Sequence, residues 1–161
     1  MSVEIFLKLD GIEGESKVKG FEKSIDVLSF SWGASNPSSV ARGGGSGAGR
    51  ADFSSISIQK EVDLSSDKMM KAVSKGTHFA KGSLHVREAG GDTPVEYYVL
   101  ELKRVFVDSF NVGGAQGGGK PTESLSFSYE EVKLKYIEQT EKGGEGGKGE
   151  FAFNIVKNAE A

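Results

Sequence analysis

The 161-residue chain carries a net charge of −3 and no cysteine, which excludes disulfides, thiol catalysis and thiolate metal sites and fits a reducing compartment without requiring one. Its basic residues are scattered, so the electrostatic footprint of a nucleic-acid binder is missing, and no apolar run is long enough for a membrane-spanning helix. The length fits a single domain over 1–161 with a sizeable core. The first residues are already strand-like, with no charged-then-apolar leader, so export through an ordinary signal peptide is not expected.

Val3–Leu9 alternates, with Ile5, Leu7 and Leu9 on one face, the period of a half-buried strand. A polar turn region around Gly14-Glu15-Ser16 leads to a second strand, Ile25–Gly33, predicted to set Leu28, Phe30 and Trp32 against Ser29 and Ser31. Phe53–Val62 groups Ile56, Ile58 and Val62, with Ser55, Ser57 and Gln59 opposite. One helix is expected next: Ser65 or Ser66 caps it, Asp67 suits its first turn, Met69, Met70 and Val73 form its apolar stripe, and Gly76 ends it. Ser83–Arg87 reads as a short strand, and Val95–Phe110 as a long one that is apolar on both faces. In Ser124–Tyr136 the apolar residues sit at Leu125, Phe127 and Tyr129, then change parity to Val132, Leu134 and Tyr136. That switch predicts a bulge or bend near Glu130. Glu150–Lys157 closes the series, with Phe151, Phe153 and Ile155 on one side. Eight or so strands with one helix predict an all-β fold, a curled antiparallel β-barrel or sandwich.

Glycine is the compositional outlier at 23 residues, five in each of the stretches 43–49, 113–119 and 143–149. These predict three long loops, over 38–52, 113–121 and 142–149. Two of them imitate phosphate-binding motifs. Gly114-x-x-x-x-Gly119-Lys120 has Pro121 where a Ser or Thr would hold magnesium, and Gly144-x-Gly146-x-x-Gly149 has dinucleotide spacing. A strand follows each, so neither offers a helix N-terminus to a phosphate. His78 and His85 are the only histidines, and no ligands are spaced around them to suggest a metal. No nucleophile elbow or helical His-Glu-x-x-His is present. No catalytic residue, cofactor or metal is therefore expected. Serine alternating with apolar residues on separate strands, at Ser29 and Ser31 and again at Ser124, Ser126 and Ser128, is the one candidate surface.

Taken together, Ile5–Gly11, Gly14-Glu15-Ser16, Ile25–Gly33, the glycine loop through Gly49, Lys60-x-x-Asp63, Gly76-Thr77-His78-Phe79, Arg87–Gly91 and the strand from Phe127 to Tyr136 resemble the haemolysin-coregulated protein (Hcp) family of type VI secretion systems over nearly the whole chain. The resemblance implies a tail-tube-like barrel closed into a homohexameric ring. Rings stack into a tube that a contractile sheath drives out of the bacterial cytoplasm behind the spike protein VgrG, carrying small effector proteins in the lumen. It implies that Ser29, Ser31 and Ala115 face that lumen, and that loop 38–52, with Val40, Arg42, Gly44, Gly47 and Arg50, orders against the next ring. No partnership with nucleic acid and no membrane insertion is implied. The chain ends soon after its last strand, so an appended toxin domain is not expected. A monomeric β-barrel that binds a ligand at its serine face is the competing reading. An enzyme using His78 or His85 is the third.

Overall fold

The computed structural model describes residues 2–37, 50–89, 94–140 and 144–161. In chain order its elements are β1 (Val3–Leu9), β2 (Ile25–Val27), β3 (Ser29–Ser31), β4 (Ala34–Ser35), β5 (Asp52–Phe53), β6 (Ile56–Glu61), α1 (Ser66–Lys75), β7 (His78–Glu88), β8 (Glu96–Gly113), β9 (Thr122–Gln139), β10 (Glu145–Asn154) and β11 (Ala159–Glu160). The main sheet is antiparallel and runs β11-β10-β9-β8-β7-β1-β2, with β6 branching from β9 and β3 pairing with β6. A small β4–β5 ladder stands apart. β2 and β3 are halves of one bent segment: the first pairs with β1, the second with β6. The sheet therefore curls back toward its start without closing. The ladder breaks at Leu28, whose N–H donates to the Gln59 carbonyl at 2.7 Å.

That break corrects the expected face of the second strand. Ile25 and Val27 point into the core, and the parity then changes, leaving Leu28 56% exposed while Phe30 and Trp32 turn inward. Ser29 and Ser31 face out. β1 is also two-faced. Leu7 and Leu9 enter the core, while Phe6 is buried on the other side against Phe21 at 4.4 Å. The segment after β1 folds back to cover that face, tied by Gly14 N–H to the Lys23 carbonyl and Ser16 N–H to the Ser24 carbonyl. Arg87 lies over both phenyl rings and pairs with Glu4 at 2.7 Å.

The expected corner is present. β9 pairs with β8 along its length, but its first part (Thr122–Phe127) also pairs with β6 and its last (Glu131–Gln139) with β10. Glu130 stands at the changeover. Buried positions step from Tyr129 to Val132 on β9 and from Leu102 to Val105 on β8, so both strands switch faces together. Arg104, opposite Glu130, takes the strain with φ +51. A true bulge lies elsewhere: the β8–β9 register shifts between Val107 and Ser109. The middle of β8 also departs from the doubly covered strand expected, because Glu101, Lys103 and Arg104 are exposed. The expected short strand at 83–87 extends to His78–Glu88. Most of the third glycine stretch is strand rather than loop, because β10 begins at Glu145.

α1 packs on β8 through Met69 and Ala72, ends at Gly76 with φ +65, and leaves Met70 47% exposed. Met70 is one step of about 100° around the helix from Met69 and so falls outside the stripe that was expected to include it. Ser65 precedes the helix, but its hydroxyl donates to Asp63 and accepts from no helix N–H. Here the sequence conceals a buried charge. The Lys60 ammonium, fully enclosed, donates to Glu123, to Asp63 at 2.9 Å and to the Glu61 carbonyl at 3.0 Å. Ser66 donates to Glu123 at 2.9 Å. The cluster joins the start of α1 to β6 and β9, one ammonium serving two carboxylates, and among the described residues no buried side-chain polar atom lacks a hydrogen-bond partner, as burial demands.

Candidate functional site

Side chains on a strand alternate between faces, so a core row implies an outer row. Behind Phe30, Ile56, Ile58, Phe110, Leu125 and Phe127, which belong to the core, the outer rows of β3, β6, β9 and β8 fall into register. One rung runs Ser31, Ser57, Ser126, Ser109; the next runs Ser29, Gln59, Ser124, Asn111. The result is a wall of short hydroxyls and amides across four strands, without a lysine or arginine along either rung.

Hydrogen bonds stitch the wall laterally. Ser29 Oγ donates to Gln59 Oε1 at 3.4 Å, and Ser109 and Ser126 share a bond of 2.6 Å. Beyond the first rung, Asp108 accepts from Ser55 at 3.1 Å and from Ser128 at 2.8 Å. The β8 bulge makes this possible. It turns both Asp108 and Ser109 toward the wall, where a regular strand would present one of them. Trp32 anchors the wall from behind: its indole N–H donates to Tyr129 Oη, which donates to the Ser54 carbonyl at 2.9 Å. Burial pushes the Tyr129 phenol up, partly offset by the bond from Trp32.

The concavity over the rungs is open and holds about 250 Å³, below the roughly 300–1,000 Å³ of ordinary small-molecule sites. Its shape suits surface contact rather than enclosure of a ligand. Ser29 and Ser31 are both in the wall. Ala115 is not: it lies exposed in the turn between β8 and β9, past the end of the rungs, where its carbonyl accepts from Gly118 N–H at 3.2 Å. Arg50 is exposed just before β5, and Val40, Arg42, Gly44 and Gly47 lie outside the described residues. The sequence offered the serines of β3 and β9 as one candidate surface but not that β6 joins them and β8 extends them in register. It missed Asp108 and Ser109 because they lie near the end of Val95–Phe110, read as apolar on both faces. Two consecutive polar residues inside such a run were the available sign of a bulge.

The histidines stand away from the wall. His78 is exposed, 5.4 Å from the Phe106 ring. His85 bonds Ser83 at 2.8 Å and Glu96 at 3.2 Å, with its ring edge to Phe21. The bond from His85 holds the Glu96 carboxyl below the usual range, against a smaller opposing effect of burial. Among the described residues no group of three His, Cys, Asp or Glu is placed to hold a metal.

The model of the family described as type VI secretion system effector, Hcp, matches residues 6–136. Protein hcp1 of Pseudomonas aeruginosa is 38% identical over the full length of both chains. A solved structure of a type six secretion system protein superposes with a TM-score of 0.93 at 31% identity, covering 99% of this chain and all of that one. Hcp1 from Salmonella typhimurium gives a TM-score of 0.83 at 26% identity, with both chains fully covered. The chain belongs to the Hcp family of type VI secretion system proteins.

Proposed function

We propose that the protein is the structural subunit of a type VI secretion inner tube. Six copies close into a ring, rings stack, and the hydroxyl wall faces the lumen. There it contacts small effector proteins that are exported with the tube. The contractile sheath and the spike protein VgrG are the other partners on this reading, and secretion through the machine is the route out of the cell.

The observation that carries this reading is the pair of in-register rungs, Ser31-Ser57-Ser126-Ser109 and Ser29-Gln59-Ser124-Asn111. A surface that holds varied cargo and then releases it is served by short polar groups, because large apolar patches and long charged arms favour tight contacts. The edges of β2, β3 and β11 that are unpaired among the described residues suit coverage by neighbouring subunits, since an exposed edge otherwise invites uncontrolled pairing. Light scattering on a sizing column tests the ring. Six copies of the 17.1 kDa chain give a particle of about 103 kDa; a 17.1 kDa monomer at every concentration contradicts the ring.

A further inference from the structure

We propose that Asp108 sets a charge preference in the wall, so that it takes partner protein segments bearing lysine or arginine and disfavours acidic ones. The proposal rests on the reading of the wall as a protein-contact face and adds which protein surfaces it accepts. Asp108 is an exposed carboxylate beside the rungs, with no lysine or arginine paired to it among the described residues. Both of its oxygens accept hydroxyl protons from the wall, from Ser55 and Ser128. Ser29 gives its proton to Gln59, and one of Ser109 and Ser126 gives its proton to the other. A serine hydroxyl has one proton and two lone pairs. Four wall hydroxyls therefore spend their proton inside the wall and turn lone pairs outward, beside a carboxylate that only accepts. Ser31, Ser57, Ser124 and the Gln59 and Asn111 amides keep protons to donate, but beside Asp108 the surface presents acceptors and a negative charge, and the complementary partner there brings N–H donors, best of all cationic ones. The β8 bulge serves this arrangement by bringing Asp108 to the wall without displacing Ser109.

The test uses the full chain and two fluorescein-labelled glycine–serine peptides, one carrying lysines and one carrying glutamates at the same positions, with binding read by fluorescence anisotropy. The expected result is tighter binding of the lysine peptide by about fivefold, the scale of one exposed ion pair, falling as salt is raised. Asp108→Asn keeps an acceptor for the serines and should bring the two peptides within about twofold; Asp108→Lys should reverse their order. Asp108→Ser provides a second neutral variant should the others fold poorly. Glu13→Gln, which removes one exposed negative charge far along the chain, should leave the ratio unchanged. An unchanged ratio in both neutral variants overturns the proposal, as does an equal fall with Glu13→Gln, which would assign the effect to net charge. Solution mass on the same samples keeps the two readings apart. Rings without an Asp108-dependent preference reject this inference alone. Monomers that keep the preference reject the ring and retain the role of Asp108.

Discussion

Replacing Lys60 by Met removes the ammonium from a site with no access to water and leaves an aliphatic chain of similar reach. Glu123, 2% exposed, then keeps one donor, the Ser66 hydroxyl. Asp63 keeps the Ser65 N–H and hydroxyl, and its 10% exposure gives it some contact with water. The uncompensated charge is thus concentrated on Glu123. Breaking a buried pair from one side costs about 3–5 kcal/mol, a large part of the roughly 5–15 kcal/mol of a whole domain. At about 2–4 °C per kcal/mol for a chain of this size, the melting temperature should fall by about 6–20 °C. Adding Glu123→Leu removes the orphaned carboxylate, and the double variant should recover most of the loss. Urea unfolding at one fixed protein concentration measures both, the fixed concentration being needed because assembly would add to apparent stability. A loss below about 1 kcal/mol in Lys60→Met would refute the buried pairing. A double variant no more stable than the single one would assign the cost to packing instead.

Tyr129→Phe removes the oxygen between Trp32 and Ser54 and leaves the half-buried indole N–H without its partner, a cost of about 1–2 kcal/mol readable by urea unfolding. Because burial raises the Tyr129 phenol in the folded state, its stabilising contribution is complete below the unfolded phenol range and is lost as pH rises through the folded value; above about pH 10 the wild type should lose stability more steeply than Tyr129→Phe. Glu96 has the opposite sign: lowered by His85, it stabilises above the ordinary glutamate range and loses that contribution as pH falls through its folded value. Glu96→Gln should therefore melt slightly below wild type at neutral pH, and the difference should shrink as pH falls below the ordinary glutamate range. Gly14→Ala would drive a methyl to 2.5 Å from the Ser24 carbonyl oxygen and 2.7 Å from Ile25 Cα. Backbone atoms cannot step aside as a side chain does, so a loss of about 1–3 kcal/mol is expected in thermal melts, with weakened cover over Phe6.

Much of the architecture was legible because alternation has a simple cause. Ile56–Glu61 and the first half of Thr122–Gln139 bury every other residue, Val3–Leu9 carries its expected Leu7 and Leu9 into the core, and the parity change at Glu130 marked a real corner. Leu28 and Met70 were misassigned because periodicity assumes an element that continues unbroken: the strand breaks at Leu28, and one step around the helix turns Met70 outward. Glycines at 143–149 looked like a loop, yet from Glu145 onward the backbone pairs with β9, and glycine does not forbid that. Lys60 was singled out only as part of Lys60-x-x-Asp63 and its burial was not read, since its partners Asp63, Ser66 and Glu123 converge only after β6, α1 and β9 have packed. The wall was half legible. Its serines stood out on individual strands, but the rungs exist only in the cross-strand register, and Asp108 depends on a bulge within an apolar run.

The absence of native cysteine allows single spin labels to be placed cleanly. The ladders run from β6 to β7 by way of β9 and β8 on one side, and β3, β2 and β1 on the other, which puts Ser57 and Lys81 on opposite outer faces of the curled sheet. Pulsed electron-spin distance measurement on Ser57→Cys and Lys81→Cys, each labelled with a nitroxide, addresses both the ring and its orientation. A closed sixfold ring gives each label intersubunit distances in a ratio of about 1: 1.7: 2. With the wall turned to the axis, the Ser57 set is the shorter of the two. A shorter Lys81 set would place the wall on the outside, and an absence of discrete intersubunit distances would contradict the ring.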